Sequence, residues 1–195
     1  MRPTRPIVGA RQRAILASVV LLVVVAALVA VLLAVTAAGQ SPDVLAVQRI
    51  SLDALHAEHE LATLPASAAQ TGVTASLRGQ LVATAQSTID RIYAGPLHDS
   101  RIDTIIGAIE AEGTSSGMLV WNGGVHDVAY KSTSVSGSSA TVVIQAVTFV
   151  EMSVTATDDH SRPEAGATYT FGLTKTGGRW FVTDEHVEFL PGQGP

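Results

Sequence analysis

The chain of 195 residues has no cysteine, which excludes disulfides, thiolate metal sites and a lipid-modified N-terminal cysteine. Whatever folds here is held by its core alone. No acidic residue precedes Asp43, although Arg2, Arg5, Arg11 and Arg13 do. Lysine occurs only at Lys131 and Lys175, and Asn122 is the single asparagine. This arginine bias looks like that of a bacterium with a G+C-rich genome. A glycine-rich phosphate cradle and a nucleophile elbow are both missing.

What the chain has in quantity is apolar. From Ala14 to Ala38 it runs 25 residues without a charge, and only Ser18 and Thr36 are polar. As a helix this run spans roughly 37 Å, enough to cross a hydrocarbon core of about 30 Å with tilt. Arginines before the run and none close behind it predict a cytoplasmic N-terminus and an extracytoplasmic remainder. A cleaved signal peptide, cut after small residues such as Thr36 and Ala38, is the competing reading, but its apolar core is usually about 7–15 residues. Ala26, Ala30 and Ala34 recur every four residues, a spacing that lets two membrane helices approach. All 17 acidic residues lie beyond the run, against eight basic ones, giving that part a net charge of −9. Such a balance argues against a nucleic-acid partner and against lying flat on anionic lipid.

These features divide the chain into a basic cytoplasmic tail at 1–13, a transmembrane helix at 14–38, a stalk helix and linker at 39–71, an extracytoplasmic α+β domain at 72–190 and a tail at 191–195. Ser41 and Pro42 suit a helix start, and Val44, Leu45, Leu52 and Leu55 continue at helical spacing towards Pro65 as a short, partly exposed stalk. A second helix is expected over Val73–Tyr93, where Val73, Leu77, Leu81, Ala85, Ile89 and Ile92 form one stripe, and a third over Arg101–Glu112. Asn122-Gly123 signals a tight turn. Strands follow at about Val125–Val135, Ala140–Ala156, Thr168–Lys175 and Trp180–Phe189. Tyr169, Phe171 and Leu173 alternate with Thr170, Gly172 and Thr174, which predicts an antiparallel sheet with one buried face. Helices followed by a meander of strands make an α+β domain with helices packed on the sheet.

In the last strand, Trp180 and Val182 lie on one parity, whereas Val187 and Phe189 lie on the other. One extra residue near Thr183–His186, as a β-bulge, returns them to a common face and turns Asp184–His186 outward.

The closing hairpin Tyr169-Thr-Phe-Gly-Leu-Thr-Lys-Thr-Gly-Gly-Arg-Trp-Phe-Val182, behind a long helix and a short one, resembles the cone-shaped fold of nuclear transport factor 2, SnoaL and ketosteroid isomerase. With the apolar run in front, the chain is similar to actinobacterial Mce-associated membrane proteins and VirB-type periplasmic secretion subunits. The resemblance covers roughly residues 72–190. It implies a bent antiparallel sheet and, for the membrane-anchored members, accessory work in an envelope complex. Enzymes of this fold place an Asp, His or Tyr inside the cone, but no residue here matches the isomerase pattern.

Candidate chemistry is sparse. Tyr93, Tyr130 and Asp127 are the residues that could reach a pocket; a core tyrosine, a sheet tyrosine and a strand-edge carboxylate account for them more simply. His56 and His59, with Glu58 and Glu60, have the spacing of half a zinc site without a third ligand. Asp158, Asp159 and His160, with Arg162 and Glu164 behind them, offer oxygens for calcium but lack the EF-hand spacing. Asp184, Glu185 and His186 cannot act together on a strand, because Glu185 faces away from its neighbours. No catalytic, cofactor-binding or metal residue is assigned. The sequence therefore predicts a single-pass membrane protein with a non-catalytic extracytoplasmic domain, an accessory or scaffold in an envelope transport or secretion complex, or a homo-oligomer. A small apolar-ligand-binding or enzymatic cone is the alternative.

The topology has a direct test. Protease added outside intact cells should digest residues 39–195 and spare the N-terminal dozen, as read by epitope tags at each end. Protection of the C-terminal part would reverse the orientation, and its release into the medium would favour a cleaved signal.

Overall fold

The computed structural model describes residues 41–112, 118–154 and 159–194. The expected transmembrane helix at 14–38, its alanine stripe and the tail at 1–13 lie outside the described residues. Among those described, no helix is long and apolar enough to cross a membrane. Residues 42–195 form one compact unit.

That unit is α+β. Its helices are α1 (Pro42–Glu60), a single turn α2 (Ala68–Thr71), α3 (Ala75–Ile92), and α4 (Pro96–Arg101), which continues through a π turn at Ile102–Ile106 into α5 (Gly107–Ala111). The strands are β1 (Met118–Ser136), β2 (Ser139–Val154), β3 (Asp159–Ser161), β4 (Glu164–Thr176) and β5 (Arg179–Phe189). They form one antiparallel sheet in the order β1-β2-β4-β5, and the short β3 also pairs with β2. The helices begin where local chemistry allows. Thr74 caps α3 by accepting from the Leu77 amide at 3.2 Å. Pro96 opens α4 at a position where its missing N–H costs nothing.

The core lies between the helices and one face of the sheet. Ala140, Val142, Ile144 and Ala146 of β2 meet Ala167, Tyr169, Phe171 and Leu173 of β4, all buried as their alternation requires. Ile89 and Ile92 of α3, Ile105 of the π turn and Ile109 of α5 close over them.

Three expectations change. The helix read as a partly exposed stalk is the central core helix. Val47, Ser51, Ala54 and Leu55 of α1 are fully buried, Ala57 nearly so, and the helix packs on β1, β2, β5 and α3. Its apolar positions were legible, but how much surface would cover them depended on the sheet. Asn122-Gly123 makes no turn, because it lies inside a β1 that starts seven residues earlier than expected, with Trp121 bulged out of register. Gly123 serves close approach instead: a Cβ there would collide with the His59 carbonyl where α1 ends. The third helix begins at Pro96 rather than Arg101.

The bulge in β5 is present. Leu173 pairs with Val182 but Gly172 pairs with Asp184, so Thr183 is the inserted residue. Val187 and Phe189 thereby share the face of Trp180, opposite Tyr169 and Ala167. Glu185 joins that face opposite Phe171, so only Asp184 and His186 turn outward. The expectation that all three residues face water therefore fails at Glu185.

Chemical denaturation can check these packing assignments. Trp180→Ala should cost about 3–5 kcal/mol through the cavity it leaves, and Gly123→Ala about 1–3 kcal/mol or more through overpacking. Asp184→Ala and His186→Ala should stay within about 1 kcal/mol.

Candidate functional site

Four elements bring ionisable groups into the interior. Arg101, the last residue of α4, bonds Glu58 of α1 and, at 2.6 Å, the Oε2 of Glu185 on β5. The Glu185 side chain is 2% exposed and that of Glu58 14%. Tyr93, at the end of α3, donates its hydroxyl to the Ala54 carbonyl at 3.0 Å and lies 3.5 Å from Glu58 Oε1. The Arg101 guanidinium sits 5.9 Å from the centre of the Tyr93 ring.

One guanidinium can neutralise one carboxylate. The interior would otherwise hold a second, uncompensated negative charge, so one carboxyl keeps its proton. Burial, with the neighbouring Glu185 carboxyl adding to it, pushes Glu58 up to about 9. At neutral pH Glu58 therefore keeps its proton beside the cationic Arg101. Burial likewise raises Tyr93 above the usual phenol range, so it remains a donor. A protonated carboxyl in an apolar interior is a group used for acid catalysis. Here its contacts go to Arg101 and Tyr93, within the protein.

Beside the cluster lies an open cleft of about 270 Å³ between the end of α1 and the sheet, walled by Phe149, Val150, Met152, Pro163 and Phe189. His59 and Thr148 also line it. His59 Nε2 is buried with no hydrogen-bond partner among the described residues. Burial lowers the His59 pKa, so the ring is neutral at pH 7. The Thr148 hydroxyl lies 3.2 Å from that of Tyr169. Burial raises Tyr169 above the usual phenol range, and its hydrogen bond with Thr148 offsets part of that rise.

The residues singled out in the sequence are scattered. Tyr93, Glu58 and Glu185 enter the cluster, each from a different candidate group. The Tyr130 hydroxyl reaches the Gln48 carbonyl at 3.1 Å from an exposed stretch of β1. Asp127, in the left-handed region with φ 52°, occupies a second bulge of β1, between His126 and Ala129, beside the exposed His126. His56 pairs with Glu60 at 2.6 Å across one helical turn, whereas His59 turns inward, so the two imidazoles do not converge. Asp158 lies outside the described residues; Asp159 and His160 sit on exposed β3, and Arg162 pairs with Glu164 at 3.2 Å. No group of three or more His, Asp or Glu among the described residues could hold a metal ion.

No protein-family model matches the chain, and no curated protein does. Among solved structures it is similar to the intermembrane space region of chloroplast protein ARC6. The identity is 15%, over 54% of this chain and 78% of that one, with a TM-score of 0.44. A likeness of that size carries no argument about activity.

Glu58, Arg101 and Glu185 were missed as a set. Signals existed for two of them. Val47, Ser51, Ala54 and Leu55 lead at helical spacing to Glu58 on the inner face of α1. Glu185 shares the parity of Val187 and Phe189, which the bulge returns to the core face. Arg101 gave no such signal, because its partners come from two distant elements.

The shared proton makes stability depend on pH. Glu58 titrates near 4.5 when exposed and near 9 when folded, so its stabilising contribution is complete below 4.5. Above that the folded state keeps a proton that the unfolded chain releases, and stability falls with pH until about 9. Denaturation between pH 5 and 9 should show up to about 1.4 kcal/mol lost per pH unit from this group. Glu58→Gln should flatten that slope, with a smaller decline of the same sign left from Glu112, which burial raises to about 7. Arg101→Met should cost about 3–5 kcal/mol by leaving the two buried carboxyl groups, Glu58 and Glu185, without their common partner.

Proposed function

We propose that the chain is a single-pass membrane protein, anchored through 14–38 with its N-terminus cytoplasmic. Its extracytoplasmic domain, a cone of the nuclear-transport-factor-2 type, serves as a non-catalytic accessory or scaffold subunit of an envelope transport or secretion complex. The observation that carries this reading is the place of α1. Three residues, Gly39 to Ser41, separate the apolar run from Pro42, and the helix that starts there is the core helix locked to α4 and β5 by Arg101. A tether that enters a domain through its most buried helix suits a rigid scaffold. The acidic surface beyond the anchor favours protein partners over nucleic acid.

A second reading, a small-ligand carrier, draws on the apolar cleft with the neutral, unpartnered His59 at its wall. Such a lining suits an apolar compound offering one hydrogen-bonding group.

In-membrane crosslinking of the full chain, followed by native mass measurement in mild detergent, separates the two. A scaffold should appear in a species heavier than one chain that persists in His59→Ala. A monomer that co-purifies with an apolar compound, lost in His59→Ala, would overturn the scaffold in favour of the carrier.

A further inference from the structure

An open, charged cleft of about 510 Å³ lies beside the start of α1, lined among others by Asp43, Arg49, Asp53, Arg91, Arg179 and Trp180. Its charge runs against that of the surface around it. Of the eight cations beyond the anchor, Arg101, Arg162 and Lys175 pair with carboxylates, and Arg78 donates to the Glu112 carbonyl. The remaining four are Arg49, Arg91, Lys131 and Arg179; none has a carboxylate partner among the described residues, and Arg179 donates at 3.5 Å to the Arg91 carbonyl. Three of these four line this one cleft, and all three are exposed. Of the two acids in the lining, Asp43 is already held by Lys175 at 2.6 Å and by the Trp180 indole at 2.9 Å, which leaves Asp53 alone against three guanidinium groups. On a domain of net charge −9, that excess is local and confined to one face.

We infer that this cleft docks the phosphate headgroups of anionic phospholipids in the membrane that holds the anchor. The inference rests on the anchoring reading above and adds a partner to it. Charge complementarity supplies the first argument, since arginine forks match phosphate oxygens two at a time. Covalent reach supplies the second. Four peptide steps separate Ala38 from Pro42, at most about 14 Å of chain, and Arg49 follows seven residues along α1, about 10 Å. Attraction to a charged surface acts over about 8 Å at physiological salt, so the arginines must lie near the bilayer to matter. A cleft at the entry of the chain meets that condition, whereas the His59 cleft, at the far end of the same helix, does not. The earlier argument from net charge excludes a domain lying flat on anionic lipid; it leaves room for one cationic contact beside the tether.

The test uses the full chain in nanodiscs of phosphatidylcholine containing increasing phosphatidylglycerol. Trp180 emission is followed in a Trp121→Phe background, and hydrogen exchange of residues 177–180 is measured in the unsubstituted protein. Phosphatidylglycerol should shift the emission and slow the exchange. Each of Arg49→Gln, Arg91→Gln and Arg179→Gln should weaken the apparent affinity about fivefold. A response that is equal in both lipids, or unchanged when all three arginines are replaced, overturns the proposal and leaves the anchor intact. Inorganic phosphate producing the same response in phosphatidylcholine discs would assign the cleft to a free anion and overturn the lipid. Failure of the chain to enter the discs would overturn the anchor, and the proposal with it.

Discussion

Arg101 joins three parts of the domain that are far apart in the chain. It meets Glu58 on the core helix and Glu185 on the last strand, and it stands where α4 gives way to a π turn. Charges are tolerated in a dry interior only when they are matched, and a single guanidinium between two carboxyls leaves a proton as the necessary third party. The cluster therefore ties α1, α4 and β5 together, because each element supplies one of its three side chains. An apolar core of the same size would pack with less demand on geometry, and so with less power to specify one arrangement.

The irregularities of the sheet serve the same meeting. The bulge at Thr183 shifts β5 by one residue, so that Trp180 and Val182 before it and Glu185 after it all face the helices. Without that insertion Glu185 would face water, and Arg101 would lack its better-buried partner. Around Trp121, β1 is likewise out of register, and Gly123 then lets the end of α1 come down onto the strand. The Leu64 amide bonds the Val120 carbonyl at 2.7 Å as the chain leaves the helix. Both bulges thus seat the C-terminal part of α1, one through Glu58 and one where the helix ends.

The two clefts differ in kind as well as in place. The one at His59 is mostly apolar, with the side chains of His59, Thr148 and Glu164 as its polar features; the other is open, cationic and next to the entry of the chain. Catalysis asks for an acid or base that a substrate can reach. In this interior the perturbed carboxyl of Glu58 is turned towards its own partners, which is the arrangement expected of a structural network.

Much of the fold could be read from the chain. The alternation in Tyr169–Leu173 and Val142–Ala146, the stripe of α3 and the parity conflict in β5 determined a helical layer on one face of an antiparallel sheet, with a bulge near Thr183. These signals are local: each depends on a period of about two or 3.6 residues that a short segment carries by itself. Asn122-Gly123 misled because a turn dipeptide also suits a glycine that admits a neighbouring backbone, and the neighbour, His59, is more than sixty residues away in sequence. The burial of α1 and the Glu58–Arg101–Glu185 cluster were decided only by the tertiary structure. Charged residues on an isolated helix or strand look like a solvated face, and only when the three elements meet does each charge find the partner that makes its burial possible.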